Sequence, residues 1–126
     1  MRILAASVVT AMLTLALPAS VRADGDVVKG EKVFAKCKTC HEIGNDRNKI
    51  GPTLHGVIGR KAGTVPGFKY SPAMADSGVT WDAATLAEYV AKPKEFIAGN
   101  KMAFVGLKKE DEIQDLVAYI AASCCS

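Results

Sequence analysis

Several patterns are missing from this sequence of 126 residues, and each absence excludes a class of protein. No strand pattern of any length, no internal repeat and no low-complexity segment is present, which leaves an all-α class. The longest apolar run, residues 3–17, spans about 15 residues, short of the ~20 that a membrane-spanning helix needs. No basic helix stands out either, and this argues against a nucleic-acid-binding protein.

The first residues have the pattern of a secretory signal peptide. Arg2 supplies a positive charge, an apolar run follows, Pro18 breaks it, and small or β-branched residues lead up to Ala23. This pattern predicts a signal peptide over 1–23, cleaved after Ala23, and a single domain over 24–126 in the periplasm. The alternative is that the segment is retained as a membrane anchor.

Little net charge remains once this segment is removed. The full chain has a formal net charge of +3, to which Arg2 and Arg22 contribute two, so the mature chain has a net charge near +1. One excess charge gives little affinity for phosphates, and no nucleic-acid partner is expected.

The helical stretches are short and are separated by turn-forming residues. Apolar periodicity predicts helices over 26–38, from Thr80 to Pro93 and from about Lys109 onward, with short helical turns over 71–76 and 93–98. Glycine and proline punctuate the stretch between the first two helices, at positions Gly44, Gly51, Pro52, Gly56, Gly59, Gly63, Pro66 and Gly67. A loop this long needs something to wrap around, so we expect four to five short helices and long loops around a cofactor.

One motif carries the chemistry, the C-x-x-C-H sequence that runs from Cys37 to His41 and is the attachment signature of c-type haem. Each thiol can form a thioether with one vinyl group, and the imidazole of His41 can then ligate iron through an unprotonated nitrogen. A thioredoxin-type motif would need a strand leading into a helix, and zinc would need about four ligands, although the only other histidine is His55. We therefore expect one haem c, covalently bound through Cys37 and Cys40.

A second axial ligand is expected on the opposite face of the haem. A low-spin electron carrier usually adds Met or His, and residues 24–126 contain two methionines, Met74 and Met102. Met102 lies in a loop between helices, which can bring its thioether to the iron, whereas Met74 is better explained as a core residue. His41 and Met102 are therefore the expected metal ligands, with core packing as the alternative for Met102.

Two further cysteines, Cys124 and Cys125, lie together at the end of the chain. An exported chain with four cysteines would by default contain two disulfides, but this spacing does not suggest that arrangement. Two interpretations stay open, an exposed frayed tail on a monomer and an intermolecular disulfide that makes a dimer.

A series of short motifs resembles one known family. In order along the chain, the motifs are Lys29-Gly30-Glu31-Lys32-Val33-Phe34, the C-x-x-C-H sequence, Ile50-Gly51-Pro52-Thr53-Leu54-His55-Gly56, Gly59-Arg60-Lys61-Ala62-Gly63, Gly67-Phe68-Lys69-Tyr70, Trp81, Tyr89, Pro93-Lys94, Gly99-Asn100-Lys101-Met102 and Asp115-Leu116-Val117-Ala118-Tyr119-Ile120. They cover nearly all of residues 29–121. The chain resembles a class I cytochrome c of the bacterial cytochrome c2 and mitochondrial cytochrome c group, which implies the cytochrome c fold.

The resemblance implies roles for individual residues. It assigns the carbonyl group of Pro52 to the second ring nitrogen of His41, and the hydroxyl of Tyr89 to the neighbourhood of the Met102 sulfur. Donors to a buried haem propionate would be Arg60, Tyr70 and Trp81. A crossing of the terminal helices is also implied, with Gly30 and Phe34 packed against Leu116 and Tyr119.

Three positions depart from the common family pattern. Ala98 stands where many relatives have proline, which predicts a freer loop and a more labile iron–sulfur bond. Asn100 replaces a common threonine, and Met74 replaces a common asparagine. These departures leave the polar surroundings of Tyr89 open at this point.

The resemblance also implies a function, that of a soluble single-electron carrier rather than an enzyme. The implied donor is a quinol–cytochrome c oxidoreductase, and the acceptor is a terminal oxidase or a photosynthetic reaction centre. These membrane complexes would be met in transient, electrostatic encounters through the lysines of the haem edge, Lys32, Lys36, Lys38, Lys49, Lys94, Lys101, Lys108 and Lys109. The alternative is a haem-based gas sensor or peroxidase with a labile methionine ligand, and a thiol-redox protein that uses the tail cysteines is a remote third.

Overall fold

Five helices joined by long loops make up residues 25–126, the part of the chain that the computed structural model describes. The helices are α1 (Val27–Lys38), α2 (Pro72–Ala75), α3 (Ala83–Ala91), α4 (Pro93–Phe96) and α5 (Glu110–Ser123). The predicted signal peptide over 1–23 lies outside the described residues. The expected all-α class with four to five short helices is confirmed, and within 25–126 no helix has both the length and the apolar character that crossing a membrane requires.

Helix boundaries follow from local hydrogen bonding. The Asp26 carboxylate accepts hydrogen bonds from the backbone N–H groups of Val28 and Lys29, at 2.9 and 3.0 Å, and so caps α1. At α3 the cap is Asp82, whose carboxylate accepts from the Thr85 backbone at 2.8 Å while the Thr85 hydroxyl accepts from the Asp82 backbone at 2.9 Å. The helix therefore begins at Ala83, three residues after Thr80, where the sequence pattern placed its start.

The terminal helices α1 and α5 cross in close contact at Gly30. A Cβ atom at this position would overlap the Asp115 carbonyl oxygen and lie 2.7 Å from the Cβ atom of Tyr119. One turn further along α1, the Phe34 ring lies 5.1 Å from the ring of Tyr119, measured between centroids. The absence of a side chain at Gly30 therefore lets the two backbones approach, as the family resemblance implies.

The long loop between α1 and α2 is tied to the segment that precedes α3. The backbone N–H of Gly59 donates to the Trp81 carbonyl at 2.7 Å, and the N–H of Trp81 donates to the Arg60 carbonyl at 2.9 Å. Val57 and Ala62, on either side of this contact, are almost completely buried in the core. These bonds bring Arg60 and Trp81 together although they are distant in sequence.

The C-terminal cysteines pair with each other, which corrects both interpretations of the tail. A disulfide joins Cys124 to Cys125, so neither sulfur remains for a partner chain. Cys124 is fully buried in the core, and its carbonyl oxygen accepts a hydrogen bond from Gly56 at 2.7 Å. Of the two interpretations left open, the intermolecular disulfide does not agree with this pairing, and an entirely frayed tail is wrong, because an apolar side chain and a backbone bond hold the end of α5 in place.

Candidate functional site

The two cysteines and the histidine of the C-x-x-C-H motif lie on one tight turn at the end of α1. The backbone N–H groups of Cys40 and His41 both donate to the Cys37 carbonyl oxygen, at 3.0 and 2.9 Å. Cys37 and Cys40 are free thiols, and both are partly buried. This turn holds the backbone of the three reactive residues, Cys37, Cys40 and His41, in one compact loop at the carboxyl end of the helix.

His41 is fixed in a single orientation by the segment around Pro52. The Nδ1 atom of His41 lies 2.7 Å from the Pro52 carbonyl oxygen. A carbonyl oxygen can only accept, so Nδ1 carries the hydrogen and Nε2 keeps its lone pair for a ligand. Gly51 lies flat against the ring, since a Cβ atom there would overlap the His41 Cε1 atom, and its N–H donates to the Cys40 carbonyl at 2.8 Å.

The pKa shifts of His41 and Cys37 distinguish this motif from a thiol-redox site. Burial lowers the pKa of His41, although its bond to Pro52 opposes the shift, so the imidazole is neutral and able to ligate near pH 7. Burial, with a contribution from Cys40, raises the pKa of the Cys37 thiol to about 11. A thioredoxin-type nucleophile needs a lowered pKa instead.

A zinc or other protein-only metal site is not supported. Among residues 25–126 there is no group of three or more His, Cys, Asp or Glu side chains placed to hold a metal ion. The donor set at the motif is one imidazole with a free lone pair and two thiols, which is short of the four ligands of a zinc site and fits a haem held by two thioethers. The residues present therefore fit haem c.

Met102 lies in the loop between α4 and α5, half-buried against the core. Its Sδ atom is 3.8 Å from the Tyr89 hydroxyl, which can donate to it, and its backbone N–H donates to the Asn100 side chain at 3.0 Å. Burial raises the pKa of Tyr89 to about 12, so the hydroxyl keeps its hydrogen at neutral pH. Met74, the other candidate, lies in α2 and packs on the core. Only Met102 combines a loop position with a polar donor beside its sulfur.

Arg60, Tyr70 and Trp81 form a second polar region. The guanidinium of Arg60 donates to the His55 and Thr53 carbonyl oxygens, each at 2.7 Å, which holds it in one place. Burial lowers its pKa, and Tyr70 opposes this shift because the two groups interact. The Tyr70 oxygen accepts from the backbone of Val65 at 3.1 Å and still has its own hydrogen to donate.

Trp81 connects this region to the methionine loop. Its ring is almost completely buried and lies 5.1 Å from the ring of Tyr89, measured between centroids. The sequence-predicted residues thus fall into two neighbouring pairs, His41 with Pro52 and Tyr89 with Met102, and a region around Arg60 that Trp81 joins to Tyr89.

Asn100 is the residue of this site whose importance sequence reasoning missed. Its departure from the family pattern was visible, but its four hydrogen bonds, to α3, to α4 with its C-cap Ile97 and to the Met102 backbone, were not. The sequence does contain a signal for this role. Asn100 follows Gly99 and precedes the candidate ligand Met102 by two residues, and in such turns the asparagine side chain often bonds to the backbone two residues further on.

Comparisons with known proteins all find similarity to cytochromes c. A family model described as Cytochrome c matches residues 27–123. The chain is 52% identical over 102 residues to cytochrome c type-1 of Ascaris suum, covering 80% of this chain and 91% of the relative. It is 50% identical over 104 residues to cytochrome c2 of Rhodomicrobium vannielii, covering 82% and 83% of the two chains. The solved structure of cytochrome cH from Methylobacterium extorquens matches with a TM-score of 0.74 at 43% identity, over 79% of this chain and 100% of the other.

Proposed function

This chain belongs to the cytochrome c family, as a class I cytochrome c, and on that premise we propose that it shuttles single electrons between membrane redox complexes of the periplasm. Its cofactor is haem c, covalently attached through Cys37 and Cys40. The donor is a quinol–cytochrome c oxidoreductase, and the acceptor is a terminal oxidase or a photosynthetic reaction centre. Residues 24–126 form the haem domain, and residues 1–23 are an export signal that is removed after Ala23.

The observation that carries the proposal is the 2.7 Å contact between His41 and Pro52. It holds the hydrogen on Nδ1, so that the lone pair of Nε2 would be free to ligate the iron of a haem attached to Cys37 and Cys40. Met102 is the proposed ligand of the opposite face. When bound, the haem iron supplies a one-electron couple, and a thioether ligand favours its reduced state.

The remaining site residues support a buried, charged cofactor. Arg60 and Tyr70 each keep donor capacity while their backbone contacts hold them in place, and Trp81 is fixed by its packing on Tyr89. We assign these three side chains to the stabilisation of a haem propionate, because a carboxylate away from water needs several donors. If His41 and Met102 both ligate the iron, no position stays open for a substrate, and we therefore propose a carrier rather than an enzyme.

Partner recognition is assigned to exposed lysines. Of the residues expected around the haem edge, those exposed in the structure are Lys32, Lys36, Lys38, Lys94, Lys101, Lys108 and Lys109. Lys36 lies 4.0 Å from Glu112 and the less exposed Lys49 lies 3.8 Å from Glu42, so their charges are partly compensated within the chain. The others are free to steer an acidic partner, which gives fast and weak encounters that depend on salt.

A ligand-exclusion experiment on the purified, haem-loaded protein tests this function. The reduced protein is exposed to carbon monoxide while its absorption spectrum is recorded, and the oxidised protein is assayed for peroxide turnover. A carrier with both axial positions filled shows neither response, while the Met102→Ala variant, whose iron is open, binds carbon monoxide. Carbon monoxide binding by the unchanged protein would favour a gas sensor, and peroxide turnover would favour a peroxidase.

A further inference from the structure

Asn100 makes every hydrogen bond that its side chain can make. Its Nδ2 group donates to the carbonyl oxygens of Pro93 and Ile97, each at 2.8 Å. Its Oδ1 atom accepts from the Met102 backbone at 3.0 Å and from the Tyr89 hydroxyl at 3.2 Å. Only 8% of the residue is exposed, so these four bonds have little competition from water. Because two of the partners are carbonyl groups, the amide can have only this orientation.

The four bonds connect the methionine loop to two helices. Pro93 and Ile97 belong to α4 and its end, and Tyr89 belongs to α3. The bond from the Met102 N–H to the Asn100 side chain closes an Asx turn over residues 100–102. This turn fixes the backbone conformation immediately before Met102. The neighbouring Gly99, at φ +89°, adds no rigidity of its own.

The Tyr89 hydroxyl has one hydrogen and two acceptors within reach. The amide oxygen of Asn100 is at 3.2 Å, and the Met102 sulfur is at 3.8 Å. An amide oxygen is a much stronger acceptor than a thioether sulfur, so the hydrogen lies on the Asn100 side. The sulfur lone pairs then remain available for donation to a metal.

We propose that Asn100 is a positioning residue with two effects on the Met102 ligand: it fastens the loop that presents the thioether, and it draws the Tyr89 hydrogen away from the sulfur. The inference rests on the proposed function, in which Met102 ligates iron. In that setting a hydrogen bond to the sulfur weakens its donation and disfavours oxidised iron. Asn100 therefore strengthens the iron–sulfur bond and lowers the reduction potential, and it provides the restraint that Ala98 does not.

A double-mutant cycle on the haem-loaded protein tests the second effect, the withdrawal of the Tyr89 hydrogen from the sulfur. The midpoint potential is measured for the wild-type chain, for Asn100→Ala, for Tyr89→Phe and for the double variant. We expect Asn100→Ala to raise the potential, because the hydroxyl hydrogen turns to the sulfur. The expected shift in the oxidation equilibrium is about threefold, which is about 28 mV at 59 mV per tenfold for one electron. Tyr89→Phe alone should change the potential little, and Asn100→Ala should cause no rise in the Tyr89→Phe background. Equal shifts in both backgrounds would overturn this effect.

Competition by imidazole tests the first effect, because imidazole binds the oxidised iron only where Met102 releases it. Loss of the Asn100 bonds should tighten the apparent affinity for imidazole roughly fivefold to tenfold, and Asn100→Ser, which can restore the short bond to the Met102 backbone, should recover part of the difference. Gln114→Ala is the control, because it removes another side-chain amide bond away from this loop. The Nε2 group of Gln114 donates to the Glu110 carboxylate at 2.8 Å within α5. Its loss should leave both imidazole affinity and potential unchanged.

The outcomes separate this inference from the function on which it rests. If the oxidised wild-type protein lacks the weak long-wavelength sulfur-to-iron absorption band, the proposed function and this inference are both overturned. A wild-type protein with that band, combined with unchanged imidazole affinity in Asn100→Ala, would overturn only the inference. If Asn100→Ala does not accumulate, Tyr89→Phe decides alone: a clear fall in its potential would show that the hydrogen lies on the sulfur even when Asn100 is present, and would contradict the proposal.

Discussion

The Nδ1 atom of His41 lies 2.7 Å from the carbonyl oxygen of Pro52, eleven residues further along the chain. This bond joins the end of α1 to the long loop and selects the ring tautomer that leaves Nε2 free. Gly51 makes the arrangement sterically possible, because any side chain there would overlap the imidazole. The proposed attachment of the cofactor therefore depends on a backbone carbonyl and on an absent side chain, as well as on the C-x-x-C-H motif.

Gly51→Ala tests this dependence. The new methyl group must displace the His41 ring or the loop, and overpacking of this kind costs about 1–3 kcal/mol. We expect a lower unfolding free energy in denaturant titrations and a less stable low-spin spectrum. Gly44→Ala is the control in the same loop, since a Cβ atom there has no neighbour within 4 Å. Equal stability of the two variants would contradict the steric argument.

Gly30→Ala tests the crossing of the terminal helices. Alanine favours a helix over glycine by about 1 kcal/mol, so the substitution would stabilise an isolated helix. Here the methyl group would overlap the Asp115 carbonyl oxygen, and α1 must move away from α5. We expect a net loss of about 1–3 kcal/mol in unfolding free energy. The exposed neighbour serves as control, and Glu31→Ala should change stability by less than about 0.5 kcal/mol. A gain in stability for Gly30→Ala would show that the helices are not in contact at this point.

Small redox reagents of opposite charge test the role of the lysines without a protein partner. An anionic iron cyanide complex should react faster at low ionic strength and slow as salt is added, because exposed lysines attract it. A cationic cobalt complex should show the opposite dependence. Stopped-flow rates at several salt concentrations measure both slopes. Slopes of the same sign for the two reagents would refute a positive surface around the site of electron exchange.

The buried end of the chain predicts different effects for two adjacent substitutions. Cys124→Ser places a hydroxyl in the core and should cost about 1–3 kcal/mol of unfolding free energy, because Cys124 is fully buried. Cys125→Ser changes an exposed residue, and the lost disulfide closes only a minimal loop, so stability should hardly change. On non-reducing gels the wild-type protein should run only as a monomer. A dimer band that reductant removes would show that the two cysteines bond between chains instead.

Most of the helices and the attachment motif could be predicted from the sequence, because both are local. Asp26 and Asp82 precede periodic apolar stretches, and the motif from Cys37 to His41 lies within five consecutive residues. The crossing at Gly30 was expected only from the family resemblance, since nothing near Gly30 in the sequence identifies its neighbour on α5.

What could not be predicted depends on contacts between distant segments. The absence of proline at Ala98 indicated a loose methionine loop, whereas Asn100 fastens that loop to α3 and α4. Likewise the final cysteines have no local signal for burial, yet Cys124 packs in the core and its carbonyl binds Gly56. In both cases the deciding partner lies on another element, which spacing and periodicity do not identify.

The absorption spectrum of the purified, exported protein, recorded oxidised and then reduced, shows whether Met102 ligates the haem iron. We expect a sharp low-spin c-type spectrum with the weak long-wavelength sulfur-to-iron band in the oxidised form, and loss of that band in Met102→Ala but not in Met74→Ala. A high-spin spectrum, or an oxidised spectrum without the band, would mean that Met102 does not ligate the iron. It would contradict the assignment of the chain as a His/Met-ligated electron carrier.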